Sequence, residues 1–404
     1  MDSVSFGQFP SVEESLKNRI PSKEWKCNEP KDYEEIKTVG LGSFGKVFKA
    51  IYKKDTKEQR LVALKKIKIF EEEGFPVTAL REILIMQKLN HKNILKLEEI
   101  LYTQPKEKNK KRGNVYLVFP YMDQDLSGVR MNEISFNLSQ IKYITYQILS
   151  GMAYLHKCKI IHRDIKSSNI LMNTKGEICI GDYGLARKDS KENNKNYTYK
   201  VVTLCYRAPE LLLGSKEYGT EIDIWSVGCV FAELLTGNIL FYENGKEKEQ
   251  LNKIFSICGT PNEKNWPGIS SLPNYKSFSQ KTIYKNNLRE HFKDNKLVDD
   301  VTFDLLNKLL DLNPKKRITA EEALNHDFFK VEPKMCTPEE LPKIDEFHEF
   351  QTEKDKKELK KKLGDLKIKQ EMEIGNKDFI GKKRNDSISK DITPMKSGGK
   401  MKYS

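Results

Sequence analysis

No run in this 404-residue chain approaches the roughly 18 consecutive apolar residues that a membrane-spanning helix needs. The N-terminus is polar and lacks the basic-then-apolar pattern of a secretory signal, so the expected location is inside the cell. The seven cysteines (Cys27, Cys158, Cys179, Cys205, Cys229, Cys258 and Cys336) are scattered, odd in number and never spaced C-x-x-C. That pattern argues against a disulfide framework and a zinc site, and predicts reduced thiols. No internal repeat is visible.

What is present suits a globular protein with tails. The length allows two packed lobes, and 38% of the residues are hydrophobic. The net charge of +13 is uneven: residues 351–404 hold 16 Lys and Arg against 9 Asp and Glu, which is +7, and leave +6 for the rest. Interspersed acids and few aromatics make this tail read as a solvated end rather than a nucleic-acid arm; Lys382-Lys383-Arg384 could serve nuclear import. Neither a membrane nor direct nucleic-acid binding is required by the sequence.

Residues 1–32, with Pro10, Pro21 and Pro30, read as a loose lead-in. Strands are expected over 34–39, 46–52, 61–67, 95–102 and 115–119, where Val, Ile and aromatics concentrate. Helical spacing predicts one helix over 78–89. The charged run 106–112 reads as an exposed hairpin insertion. Beyond Met122 helices are expected over 138–157, 221–236, 248–257, 301–310 and 320–325, with the folded domain ending near Phe329.

Five short motifs follow one another within about 170 residues. The first is Gly40-Leu41-Gly42-Ser43-Phe44-Gly45-Lys46-Val47, whose glycines let a hairpin fold tightly over phosphates with N–H groups facing the anion. The second is Val62-Ala63-Leu64-Lys65. A lysine in an apolar strand needs a partner, and Glu82 on the following helix is the natural one. The third runs from His162-Arg163-Asp164 to Asn169, the fourth is Asp182-Tyr183-Gly184 and the fifth Ala208-Pro209-Glu210. Phosphoryl transfer needs a carboxylate to orient the attacking hydroxyl (Asp164), a cation for the transferring phosphoryl (Lys166), and oxygen ligands for magnesium (Asn169 and Asp182). His162 reads as a packed structural histidine, and Asp223 as an anchor for the catalytic loop's backbone.

These motifs stand in the order a protein kinase requires. Residues 33–329 resemble a eukaryotic protein kinase catalytic domain of the cyclin-dependent family, in its transcription-associated branch. Pro76-Val77-Thr78-Ala79-Leu80-Arg81-Glu82 resembles that family's cyclin-binding helix, Tyr197 to Arg207 its activation segment, and His348-Glu349-Phe350 a feature of the transcriptional members. The resemblance implies a bilobal α+β fold: an N-terminal extension (1–32), a small antiparallel β-sheet lobe with one main helix (33–121), a larger mainly helical lobe (122–329) and a basic, largely disordered C-terminal extension (330–404). It implies ATP and Mg2+ as cofactors. The nucleotide is expected against Val39, Gly40, Leu41, Gly42, Ser43, Phe44, Gly45, Lys46, Val47, Ala63, Lys65, Phe119, Pro120, Tyr121, Met122, Asp125 and Leu171. Phe119 stands at the gatekeeper position; Pro120 keeps its carbonyl for the adenine, and Met122 supplies an amide.

The resemblance also implies regulation. A cyclin docks on the Pro76–Glu82 segment and drives Glu82 toward Lys65. An activating kinase phosphorylates Thr198, adding about −1.5 to −2 charge that Arg81, Arg163 and Arg187 would bind. Val201, Val202 and Arg207 imply a preference for proline after the phosphoacceptor, so the expected substrates carry Ser-Pro or Thr-Pro sites, the repetitive tail of RNA polymerase II among them, and the expected location is the nucleus with a cytoplasmic pool also allowed. Three residues depart from the family pattern: Tyr183 replaces a Phe, Cys205 a Trp, and Ser43-Phe44 an inhibitory Thr-Tyr pair. The alternatives are a cell-cycle or mitogen-activated type of kinase, the latter disfavoured because Thr198-Tyr199 is adjacent rather than spaced, and an inactive cyclin-binding scaffold, disfavoured because Lys65, Asp164, Asn169 and Asp182 are all present.

Overall fold

The computed structural model describes residues 30–42, 45–54, 59–69, 75–103, 114–189, 197–243, 245–278 and 282–361. The lead-in before residue 30, the loop tip Ser43-Phe44, the charged run 106–112 and the basic cluster at 382–384 lie outside the described residues.

Five strands form one antiparallel sheet: β1 (Tyr33–Gly42), β2 (Gly45–Tyr52), β3 (Arg60–Ile67), β4 (Glu99–Tyr102) and β5 (Val115–Pro120), ordered β1-β2-β3-β5-β4. The alternation of β3 follows its sequence: Val62, Leu64 and Ile67 are buried. Among the described residues one α-helix, α1 (Val77–Met86), crosses this lobe and buries Ala79, Glu82, Ile83, Ile85 and Met86. Each such large aliphatic side chain contributes about 1.5–3 kcal/mol of burial. The helix stops short of the expected residue 89: Gln87 is its C-cap.

The larger lobe contains α2 (Leu126–Met131), α3 (Leu138–Lys157), α4 (Glu221–Thr236), α5 (Glu247–Cys258), α6 (Asp300–Leu309) and α7 (Ala320–Leu324). Asn137 and Gln140 close a reciprocal capping box at the start of α3, both bonds at 3.0 Å, a device that contributes about 1 kcal/mol. Helix α4 is buried over nearly its whole length, with Trp225 fully enclosed.

Short strands set the chemistry in place. β6 (Gln124–Asp125), β8 (Ile170–Met172) and β9 (Ile178–Ile180) form one small sheet; β7 (Ile160–Ile161) pairs with β10 (Arg187–Lys188). The strand expected over 95–102 is shorter than its apolar run, because the Leu95 N–H turns to the carbonyl of Ile180 in β9, 3.0 Å away, rather than to the five-stranded sheet.

Residues 330–350 run along the catalytic unit. Lys142, fully buried on α3, donates to Val331 O at 2.8 Å, and Gln124 donates to Ile344 O at 2.7 Å. Glu346 pairs with Lys37 and with Lys49 of the small lobe. Gly128 is required beneath this segment, since a Cβ there would lie 2.4 Å from Phe347 O. The first compact unit ends at Phe350; the second, residues 351–404, is described over 351–361, which are helical. No helix of the described residues is long and apolar enough to cross a membrane.

Candidate active site

A cleft of about 410 Å³ is walled above by Val39, Gly40, Leu41, Gly45, Val47 and Ala63, and along its back by Phe119, Pro120, Tyr121 and Met122. Leu95, Asp125 and Leu171 complete its apolar and polar lining. Lys65, Glu82, Asp164, Lys166, Asn169 and Asp182 all reach the same cleft. Gly45 has φ +150°, and a Cβ there would strike Lys66 O at 1.7 Å, so only glycine fits this turn. Among the described residues, one expected at the nucleotide lies off the wall. Lys46 is exposed, because the two-residue period of β2 sends it away from the side that Gly45 and Val47 occupy. Gly42 pairs with Gly45 at the hairpin end.

β3 and α1 bring Lys65 Nζ to 2.6 Å from Glu82 Oε1, and Asp182 Oδ1 lies 3.3 Å from the same ammonium. Burial works against the Lys65 charge, but Asp182 and Glu82 outweigh it and hold the ammonium above the ordinary lysine range. Lys65 in turn holds the Asp182 carboxyl below the usual carboxylate range. Burial pushes Glu82 upward, against the pull of Lys65.

The catalytic loop is fixed from below. Asp223, at the start of α4, accepts from the backbone N–H groups of His162 and Arg163, both at 2.8 Å. Lys166 Nζ lies 3.1 Å from Asp164 Oδ2. The Asn169 amide donates to Asp164 O at 2.7 Å and to Oδ2 at 3.2 Å, which turns its own oxygen the other way. An Asn oxygen and the half-exposed Asp182 carboxylate form a hard-oxygen pair, the donor set magnesium takes when phosphates and water complete its shell. Among the described residues no group of three or more His, Cys, Asp or Glu could hold a metal ion by itself. This pair therefore fits a metal that arrives with phosphate.

Outside the cleft two further groups assemble. Burial and mutual repulsion depress the guanidinium of Arg81, which faces Arg163, and that of Arg187, which falls to about 10 beside Arg81 and Arg163. Tyr218 OH accepts from Arg163 Nη1 at 3.1 Å and donates to Thr198 O at 2.8 Å, so the exposed Thr198 stands one phenol away from this cationic cluster. Nearer the catalytic loop, Val202 has φ +67°, a conformation a β-branched residue adopts only under constraint. Its carbonyl accepts from Arg207 Nε at 3.3 Å and Nη2 at 3.0 Å, while Arg207 Nη1 reaches Glu247 Oε1 at 2.7 Å. Val201 is buried beside it.

Sequence reading missed several contributors. Thr203 donates from N and Oγ1 to Asp164 Oδ1 at 3.2 and 3.1 Å. Tyr218 and Glu247 carry no motif of their own. His348, Glu349 and Phe350, which the sequence marked only as a family feature, line the cleft, with Glu349 N donating to Asp125 Oδ2 at 2.8 Å and Glu349 Oε1 accepting from Ser127 at 2.9 Å.

A bilobal fold whose cleft gathers an ammonium, two acids and an amide is a protein kinase. The protein kinase domain family matches residues 33–329, and the chain belongs to that family, within its transcription-associated cyclin-dependent branch. It is 42% identical over 354 residues to Cyclin-dependent kinase C-1 of Oryza sativa subsp. japonica, covering 85% of this chain and 67% of that one. It is 41% identical over 328 residues to the CTD kinase subunit alpha of Schizosaccharomyces pombe, covering 80% and 53%. Among solved structures it is similar to a chain of the yeast RNA Pol II CTD kinase CTDK-1 complex, at TM-score 0.68 and 38% identity, covering 84% of this chain and 99% of that one. The chain spans about two thirds of its plant relative's length.

Proposed function

We propose that this chain is the catalytic subunit of a cyclin-activated serine/threonine kinase that transfers the γ-phosphate of ATP to Ser-Pro and Thr-Pro sites, with the repetitive C-terminal tail of RNA polymerase II as substrate and the nucleus as its place of action. The observation that carries the reading is the convergence of Lys65, Asp164, Asn169 and Asp182 on one cleft beside the strained Val202. Names of relatives that act on a CTD support the substrate.

Each residue has a role in that chemistry. Glu82 orients Lys65, which holds the α- and β-phosphates. Asn169 and Asp182 would hold magnesium, which when bound supplies positive charge against the phosphates. Asp164 Oδ1 aligns the substrate hydroxyl and takes its proton as the new O–P bond forms and the bond from γ-phosphorus to the bridging oxygen breaks, releasing ADP. Lys166 stabilises the charge on the transferring phosphoryl. With the Val202 carbonyl occupied by Arg207, the N–H of the residue after the phosphoacceptor finds no acceptor there. Proline, which has no N–H, then suffers no loss. Phosphate on Thr198 would relieve the repulsion among Arg81, Arg163 and Arg187 and tie α1, the catalytic loop and β10 together. A cyclin would hold α1 from its outer side, where Val77 is 66% exposed.

The test is transfer of labelled phosphate from ATP to a tail-repeat peptide by the chain co-purified with its cyclin. The expected result is incorporation at Ser-Pro that falls at least 100-fold in Asp182→Asn, with the cyclin-free chain nearly inactive. Transfer by Asp182→Asn at the level of the unaltered chain would refute it.

A further inference from the structure

Tyr183 follows Asp182 inside the magnesium loop, and its surroundings give its hydroxyl a defined place. The side chain is fully buried and meets His162 edge-on, ring centroids 5.0 Å apart. Its hydroxyl donates to Ile180 O at 3.0 Å. The same carbonyl accepts from Leu95 N at 3.0 Å, so both of its lone pairs are used.

Between donor and acceptor lies Asp182, with φ +57°. A non-glycine residue in that region persists only where its neighbours over-determine it. Gly181 N donates to Asn169 O at 2.9 Å, and Gly181 O is met by His162 Nε2 at 3.0 Å. Downstream, Ala186 N donates to Tyr183 O at 3.0 Å. The backbone is thus tied on both sides of Asp182, and the phenol adds a side-chain tie that arches over it from residue 183 back to residue 180.

We infer that Tyr183 is a positioning residue whose hydroxyl, bonded to Ile180 O, clamps the loop 181–184 so that Asp182 stays turned into the cleft beside Lys65. A loop carrying phenylalanine here leaves its pocket by losing apolar contact alone; this loop must also break a buried hydrogen bond on the way out. The clamp biases the chain toward the inward loop before nucleotide arrives. The inference rests on Asp182 as the metal-binding carboxylate, and its test reads the loop without depending on that role.

Tyr183→Phe isolates the hydroxyl. The ring that packs on His162 remains, and Ile180 O keeps its bond from Leu95, so no buried acceptor is orphaned. Amide hydrogen exchange on the full chain, without nucleotide, measures how often the loop opens. The expected result is exchange at residues 182–184 about 5-fold faster in Tyr183→Phe, the worth of one neutral buried hydrogen bond, with α4 unchanged within 2-fold. In a second measurement, binding of a fluorescent ATP analogue is followed as magnesium is raised, in the parent and in Asp182→Asn, and the half-saturating magnesium should rise at least 10-fold in Asp182→Asn. Unchanged protection at 182–184 overturns the clamp. Faster exchange spread evenly through α4 as well overturns it too, since the hydroxyl would then be a general stabiliser. If exchange responds locally in Tyr183→Phe and magnesium binding is unchanged in Asp182→Asn, the clamp stands and the metal-binding role of Asp182 fails.

Discussion

Lys65 Nζ stands 2.6 Å from Glu82 Oε1 and 3.3 Å from Asp182 Oδ1, so one ammonium joins a strand, a helix and the magnesium loop. Glu82 is 1% exposed, and a carboxylate so placed is costly unless its partner stays. Glu82→Gln keeps the shape and removes the charge. The expected outcome is a fall in kcat/KM of about 100-fold, which is about 2.7 kcal/mol of transition-state stabilisation, with a melting temperature within a few degrees of the parent. Steady-state kinetics and calorimetry on the two proteins check it; kcat/KM within 2-fold would refute the pairing as a functional device.

The Val202 carbonyl is held by Arg207, and Arg207 is held in turn by Glu247. Arg207→Ala frees the carbonyl to rotate and offers an acceptor to substrate amides. The preference for Ser-Pro over Ser-Ala peptides should then drop by about 10-fold, the scale of one neutral hydrogen bond. Paired peptide assays read the ratio directly, and an unchanged ratio would place the selectivity elsewhere.

Arg317 is bonded to Glu210 at 2.7 and 3.0 Å, and both side chains are almost fully buried. Removing one partner leaves the other charge without compensation in a dry setting. Arg317→Ala should therefore cost about 3–5 kcal/mol, measurable by urea unfolding. Replacing both residues with apolar side chains of similar volume should cost less than the single change. Equal losses would point to packing rather than charge.

Cys205 is partly exposed, yet burial and the nearby Glu233 push its thiol up to about 11. Only the thiolate alkylates. Because the folded pKa lies above the working range, the labelling rate of Cys205 by iodoacetamide should climb about tenfold per pH unit between 8 and 10. Peptide mass spectrometry after timed labelling gives the profile, and a plateau by pH 9 would contradict it.

Much of the site was legible because phosphate chemistry constrains residue types at short spacings. Gly45, Lys65, Asp164, Asn169 and Asp182 each sit in a local motif, and the motif order fixed which would meet. Helix α3 was readable to the residue, since its amphipathic pattern runs from Leu138 to Lys157. Less readable were the pieces with no local signal. Two-residue strands such as β6 and β7 exist only because partners arrive from far along the chain. Residues 95–98 carry strand composition, but Leu95 pairs across to β9. Lys46 belonged to the motif by spacing and left the cleft wall by the pleat.

The sequence alone determined the class of chemistry and the family, because the acids, amide and ammonium that grip a phosphate cannot be exchanged for other side chains. It also settled that a tyrosine, not a phenylalanine, occupies position 183. Only the tertiary structure decided what that hydroxyl does, bringing Ile180 O within 3.0 Å. Only it laid residues 330–350 along the catalytic unit and turned Val202 to a positive φ. The physical reason is range: a motif is written over a few neighbouring residues, whereas a buried donor finds its acceptor only after distant segments have packed.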